Sequence, residues 1–261
     1  MTDKSLFKFY LESYDLIEIQ ADLSHLKQYL AFIREQYEVQ KKGAADKRRD
    51  DTIQIEEAYP RDEYDRSDHS SEFYAELDLI EKEYEYVVNV HWLQLLVHPF
   101  IVSVWSVHES VIRRLSTVIR NRIKNLNPDS PIEKKVTDMK GGYFNERAQR
   151  YFEQILGCPF GLTDDREERL YDLSGLRNAI VHQNSWVDSE RTEDLREKIE
   201  SGKIEGVTIW HGALVIDLNY AECAINLVTE HLEELISIVK ERYPSIHGRS
   251  KKGQKPKREL L

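Results

Sequence analysis

Leu173-Ser174-Gly175-Leu176-Arg177-Asn178-Ala179-Ile180-Val181-His182 is the stretch on which the reading of this chain turns. Leu173, Leu176 and Ile180, with Leu170 one turn earlier, recur at three- and four-residue spacing, the period of an α-helix with one apolar stripe. Upstream, Thr163-Asp164-Asp165 supplies a small polar cap and early carboxylates, which suit the positive end of a helix. The sequence therefore predicts a helix over 166–183 that carries Arg177, Asn178 and His182. On an ideal helix Asn178 and His182 lie one turn apart on one face. Arg177 sits about 100° round from Asn178, and its long side chain can reach back.

Outward from this helix the chain is predicted to be mainly α. Leu6, Tyr10, Ile17, Leu23, Leu26, Leu30, Ile33 and Tyr37 recur mostly at spacings of three, four or seven and predict a long amphipathic N-terminal helix over 1–39. Residues 40–71 switch to dense mixed charge, such as Lys47-Arg48-Arg49-Asp50-Asp51, and read as a mobile linker with a short ordered piece at Thr52 to Tyr59. Periodicity resumes at Glu72 and runs to His98. Pro99 is expected to end or kink that helix, because proline lacks a backbone donor and clashes with the preceding turn. A second helix, Pro99 to Lys124, then closes at Asn127-Pro128-Asp129-Ser130-Pro131.

Shorter helical pieces are expected near Ile132 to Lys140 and Asn145 to Leu156, separated by Gly141-Gly142. Beyond the motif helix and a charged stretch from Ser189 to Gly202, two β-branched runs flank His211-Gly212: Val207 to Trp210 and Ala213 to Ile216. They predict a small hairpin. Asp217 or Asn219 caps a last helix, Tyr220 to Tyr243, which Pro244 ends. Residues 72–247 thus form one helical domain, and 248–261 a basic flexible tail.

Composition narrows the class. The chain has 261 residues, of which 40% are hydrophobic, enough to bury a core. The longest apolar run, Val87 to Val107, is interrupted by Asn89, His91, Gln94, His98 and Pro99, and reads as a core helix and not a membrane span. Met1-Thr2-Asp3-Lys4-Ser5 has none of the features of a secretory signal, which predicts a cytoplasmic protein. Cys158 and Cys223 form neither a Cys-x-x-Cys pair nor a Cys/His cluster, and are expected as reduced thiols packed like small apolar groups. Net charge is −10, but the tail from Gly248 carries six basic residues against Glu259, so the body before it is more acidic still. Such a body repels nucleic acid in general, and RNA binding would need locally gathered positive groups.

The chemistry resides in R-N-x-x-x-H. Spacing alone is weak evidence, since Arg242 and His247 repeat R-x4-H with Pro244 between them barring a regular helix. Requiring the asparagine lowers the chance expectation to roughly one chain in a hundred. With its arginine, following polar residue and later histidine near a helix end, the segment resembles the HEPN superfamily of helical ribonucleases and nucleic-acid-linked proteins. Arg177, Asn178 and His182 match those three positions. The order of long helix, second long helix, insertion, motif helix, hairpin and final helix is also similar to the HEPN layout over about 72–243, and excludes the first 71 residues. Glu109 and Arg113, one turn apart on the second long helix, resemble an auxiliary acidic and basic pair of some members; a surface i,i+4 ion pair is an equal reading.

The resemblance implies a metal-independent endoribonuclease without cofactor. Attack of a ribose 2′-hydroxyl on the adjacent phosphate needs a base to take the proton and a cation to hold the phosphoryl oxygens. Histidine and arginine supply these. It also implies a homodimer with motif helices at the interface, an RNA substrate, an antitoxin or regulatory partner, and a role as a toxin or anti-phage effector. Some HEPN toxins carry a tyrosine two residues after the histidine that a partner nucleotidyltransferase modifies; Asn184 stands there in this chain, with Trp186 beyond. The alternatives are a non-catalytic HEPN module that binds RNA, a nucleotide or a partner, and a purely structural helical scaffold. His91, His98 and His108 are read as core or interface histidines, and Trp92 and Trp105 as core, not base-stacking platforms. No G-x-x-x-x-G-K-[ST], G-x-S-x-G or H-E-x-x-H motif occurs.

Overall fold

The computed structural model describes residues 4–59, 70–126 and 132–242, leaving aside the side chains of 4–16, 70, 122, 125 and 126. The basic tail and the heart of the expected linker lie outside the described residues. The chain is mainly helical: α1 (Lys4–Ala58), α2 (Ser70–Tyr86), a π turn (Val87–His91), α3 (Trp92–Leu126), α4 (Phe144–Arg150), a second π turn (Tyr151–Ile155), α5 (Asp164–His182) and α6 (Glu193–Glu200). A hairpin of β1 (Val207–Trp210) and β2 (Ala213–Ile216) then precedes α7 (Leu218–Arg242). Two compact units arise, one from Met1–Ser110 with Asp164–Thr229, the other from Val111–Thr163 with Glu230–Leu261.

The first unit holds the motif helix. Ile19, Leu23, Leu26, Leu30 and Ile33 of α1 are buried, spaced alternately by four and three residues as a helix needs to keep one seam inward. Tyr29 meets Phe100 of α3 edge to face at 5.6 Å, and Arg34 pairs with Glu222 of α7. The expectation that α1 gives way to a linker after Val39 is corrected, because the helix continues to Ala58. Its charges are matched by the acidic face of α2: Lys47 bonds Glu83 at 2.8 Å, and Arg48 bonds Glu81 at 2.9 Å and lies 4.6 Å from the centre of the Tyr84 ring. Each such exposed pair is weak in water. Together they make a sequence poor in apolar anchors helical.

Pro99 does not end its helix. It lies exposed inside α3, and the irregularity falls upstream in the π turn, where Trp92 N–H bonds Val87 O. The residues Ser71–Asn121 therefore form one long helical run, with an 18-residue window long and apolar enough to cross a membrane by length and composition alone; 44% of that window is buried within the protein. Val97, Phe100, Ile101, Val104 and Trp105 are its core face in the first unit. The charged stretch Ser189 to Gly202 also hides a helix, α6, anchored by Leu195 and Ile199 one turn apart.

In the second unit the helix expected over Ile132 to Lys140 is reduced to a single 3-10 turn, Val136–Asp138. Local bonds explain this: Asp138 accepts the Lys135 N–H at 2.8 Å, and the Lys134 carbonyl is taken by the Tyr151 hydroxyl at 2.8 Å. Phe152 and Phe160 pack at 5.2 Å, and buried His231 donates from Nε2 to the Phe160 carbonyl at 3.1 Å. Cys158 is buried there, and burial pushes its thiol pKa up. Cys223, expected to be packed, is exposed.

The hairpin appears where the sequence predicts it, in the register Val207↔Ile216 to Trp210↔Ala213. Both turn residues have positive φ, 48° at His211 and 83° at Gly212, as a two-residue turn of the right twist requires. A Cβ at Gly212 would collide with the Asp188 carboxylate and lie 2.9 Å from Cζ3 of Trp186. Gly212→Ala is therefore expected to lower stability by about 1–3 kcal/mol, read as a lower urea midpoint with an unchanged slope. An unchanged midpoint would contradict this account of the turn.

Candidate active site on the motif helix

α5 opens with Asp164, Asp165 and Glu167 in its first turn, where carboxylates complement the helix dipole. Leu170, Leu173, Leu176 and Ala179 form its buried stripe. On the flank, α6 is tied down by Lys198, which bonds Glu168 at 3.1 Å and Asp172 at 2.7 Å. Burial raises the Asp172 carboxyl pKa and the Lys198 ammonium opposes that rise. These contacts hold the helix so that Arg177, half-buried, and Asn178 and His182, both exposed, project on the side away from the core.

The three side chains meet. One guanidinium nitrogen of Arg177, Nη1, donates to Asn178 Oδ1 at 2.9 Å and lies 3.2 Å from His182 Nε2. Guanidinium has no acceptor, so the His182 contact requires the imidazole to offer the Nε2 lone pair and to carry its proton on Nδ1. The same argument turns the Asn178 oxygen toward the arginine. Arg177 Nε is buried without a hydrogen-bond partner, a cost of about 1–3 kcal/mol for such a group. The reach of Arg177 back along the helix is thus realised, and a cation, an amide and an imidazole share one spot at the end of α5.

The chain past His182 is fixed tightly. Gln183 and Ser185 both donate backbone N–H to the Ala179 carbonyl, at 3.1 and 3.0 Å, and Asn184 and Ser185 take positive φ of 50° and 68°. This reversal is a helix C-cap that satisfies the terminal carbonyls. It lays the next residues beside the hairpin: Ser185 O accepts Leu214 N–H at 2.7 Å, Val187 N–H reaches Gly212 O at 3.1 Å, and Trp186 bridges Ala213 antiparallel. Ser185 Oγ also lies 3.0 Å from Nδ1 of buried His98 on α3.

Each member of the auxiliary pair also has an aromatic neighbour: Glu109 accepts the Trp105 indole N–H at 2.9 Å, and Arg113 lies over the Phe144 ring at 5.2 Å. His98 and His108 are buried as expected and His91 is exposed; Trp105 is core and Trp92 half-buried. Among the described residues no group of three or more His, Cys, Asp or Glu could hold a metal ion. Sequence reading placed His98 in the core but overlooked Ser185 and the contact between them, since a buried histidine on an apolar helix face gives no sign of which loop it will hold. No protein-family model, curated protein or solved structure matches this chain.

Burial lowers the His98 pKa from its ordinary 6.5 to about 4, with the Leu214 backbone acting in the opposite sense. Between these values the unfolded chain takes up a proton that the folded chain refuses. Stability should therefore be full above about pH 6.5, fall as the pH drops toward 4, and level below it, with a total loss of up to about 3 kcal/mol from this group. Urea midpoints measured across that range should show the slope in the wild type and lose it in His98→Leu; equal slopes in the two proteins would remove His98 as the cause.

Proposed function

We propose that this chain is a metal-independent endoribonuclease of the HEPN type, with Arg177, Asn178 and His182 as its working residues. The observation that supports it is the shared hydrogen bonding of Arg177 Nη1 with Asn178 and His182 on an exposed helix end. In this reading the scissile phosphate draws the guanidinium to its own oxygens, a charge-assisted and two-pronged interaction stronger than a bond to a neutral ring. That exchange frees the Nε2 lone pair. His182 then takes the proton of the ribose 2′-hydroxyl, the 2′-oxygen attacks phosphorus as the bond to the 5′-oxygen breaks, and the leaving oxygen takes a proton from solvent, which gives a 2′,3′-cyclic phosphate and a 5′-hydroxyl. Asn178 orients the arginine through the resting state.

One arginine and one histidine per chain make a sparse site, so the reading includes a homodimer that brings two α5 helices to one cleft. A role as a toxin or anti-phage effector held in check by a partner follows from the resemblance alone. The rival reading is a non-catalytic RNA- or nucleotide-binding module of the same fold. It draws on the engagement of the histidine lone pair by Arg177, which in a protein without turnover would simply be permanent.

The test is cleavage of single-stranded RNA in EDTA with the product ends identified. The wild type is expected to leave cyclic or 3′-phosphate ends. His182→Ala and Arg177→Ala should each lose about a hundredfold or more with the melting temperature nearly unchanged, because His182 is exposed and the half-buried Arg177 carries an unpaired Nε whose removal offsets the packing lost. Arg177→Lys should also be poor, and Asn178→Ala milder. Folded alanine variants that cleave like the wild type would remove the catalytic assignment, and a fully active strict monomer would remove the shared cleft.

A further inference from the structure

Two tryptophans beyond the motif helix are exposed, Trp186 four residues past its end at 51% and Trp210 at the end of β1 at 41%. Their positions are linked by the sheet register. Trp186 bridges Ala213, and Ala213 pairs with Trp210, so the three are directly opposite one another across successive strands and share one face. The small Ala213 between them leaves the indoles uncovered. Trp186 lies against Gly212, and Trp210 meets His211 at the turn edge to face, with ring centres 5.2 Å apart. Aromatic rings held open to solvent by a backbone this constrained need an explanation, since indoles ordinarily find cover.

We propose that Trp186 and Trp210 form a stacking strip for nucleobases of a single-stranded RNA whose backbone engages the trio, an inference that rests on the nuclease reading above. Three features favour a base over other occupants. The exposed groups are aromatic rings, which stack on any base irrespective of its sequence. The Asp188 carboxylate, which stands with the Trp186 ring against Gly212, repels phosphate and leaves the base faces as the part of a nucleotide that fits there. Finally, Trp186 follows His182 by four residues, at most about 14 Å of chain, and the reversal at Asn184 and Ser185 shortens that path. A base next to the phosphate at His182 is thereby within reach of the strip, and paired bases, whose faces are already stacked, are not.

The experiment uses the full chain and a labelled single-stranded 2′-O-methyl oligoribonucleotide, which has no free 2′-hydroxyl and is not cut, with fluorescence anisotropy as the readout. Trp186→Ala and Trp210→Ala should each weaken binding about tenfold, within the range of one base–aromatic stack. Trp186→Phe should restore most of the loss and keep the strand bridge intact should the alanine variant be unstable. A duplex of the same composition should bind alike to all four proteins. Wild-type affinity in both alanine variants overturns the strip, as does absence of binding by the wild type. Light scattering that shows the alanine variants passing from dimer to monomer assigns the strip to a second copy of the chain and overturns it as well. Failure of the nuclease reading is separately visible: His182→Ala would then leave cleavage untouched while the tryptophan dependence of binding persists.

Discussion

Ser185 is the residue on which the geometry of the motif region depends. Its N–H closes the end of α5 on Ala179, its carbonyl receives Leu214 of the hairpin, and its hydroxyl meets His98 of α3. Three elements are thus fixed to one another through the backbone and hydroxyl of a single residue in a left-handed backbone conformation. Such a conformation costs free energy for a residue with a Cβ, and it persists because the surrounding bonds over-determine it. The consequence is that α5 stops at His182 with the Ala179 carbonyl bonded twice, so the histidine is held at a defined helix end.

The polar trio depends on that stop. Arg177 reaches across a turn and a half to His182 while also holding Asn178, and a helix that frayed at its last turn would not keep a 3.2 Å contact over five residues. A guanidinium donor at this distance calls for a lone pair on Nε2, which assigns the ring proton to Nδ1. In the proposed reading, a guanidinium that is both the resting partner of the imidazole and a phosphate ligand would couple substrate arrival to release of the ring nitrogen, and this shared contact is the physical ground for the ribonuclease proposal.

Much of this was legible in the sequence because it is periodic or punctuated. The apolar spacing of Leu170, Leu173 and Leu176 gave the motif helix within two residues of its observed start, and His211-Gly212 between β-branched runs located the hairpin. The reach of Arg177 to His182 followed from helix geometry. What escaped depends on long-range pairing. Lys47 and Arg48 look like linker charges until Glu83 and Glu81 of another helix stand opposite them. Pro99 reads as a stop until the ladder loosens elsewhere, at Val87–His91. Leu195 and Ile199 are only two anchors in a charged run, too few to declare α6.

The central claim is that Arg177 holds His182 as the neutral Nδ1–H tautomer with its Nε2 lone pair engaged. Long-range nitrogen–proton NMR on histidine-labelled protein reads this directly. The account predicts an Nδ1–H imidazole for His182 above neutral pH in the wild type, and a shift toward the Nε2–H form in Arg177→Ala. A wild-type His182 that carries its proton on Nε2, or a tautomer indifferent to the loss of Arg177, would contradict it.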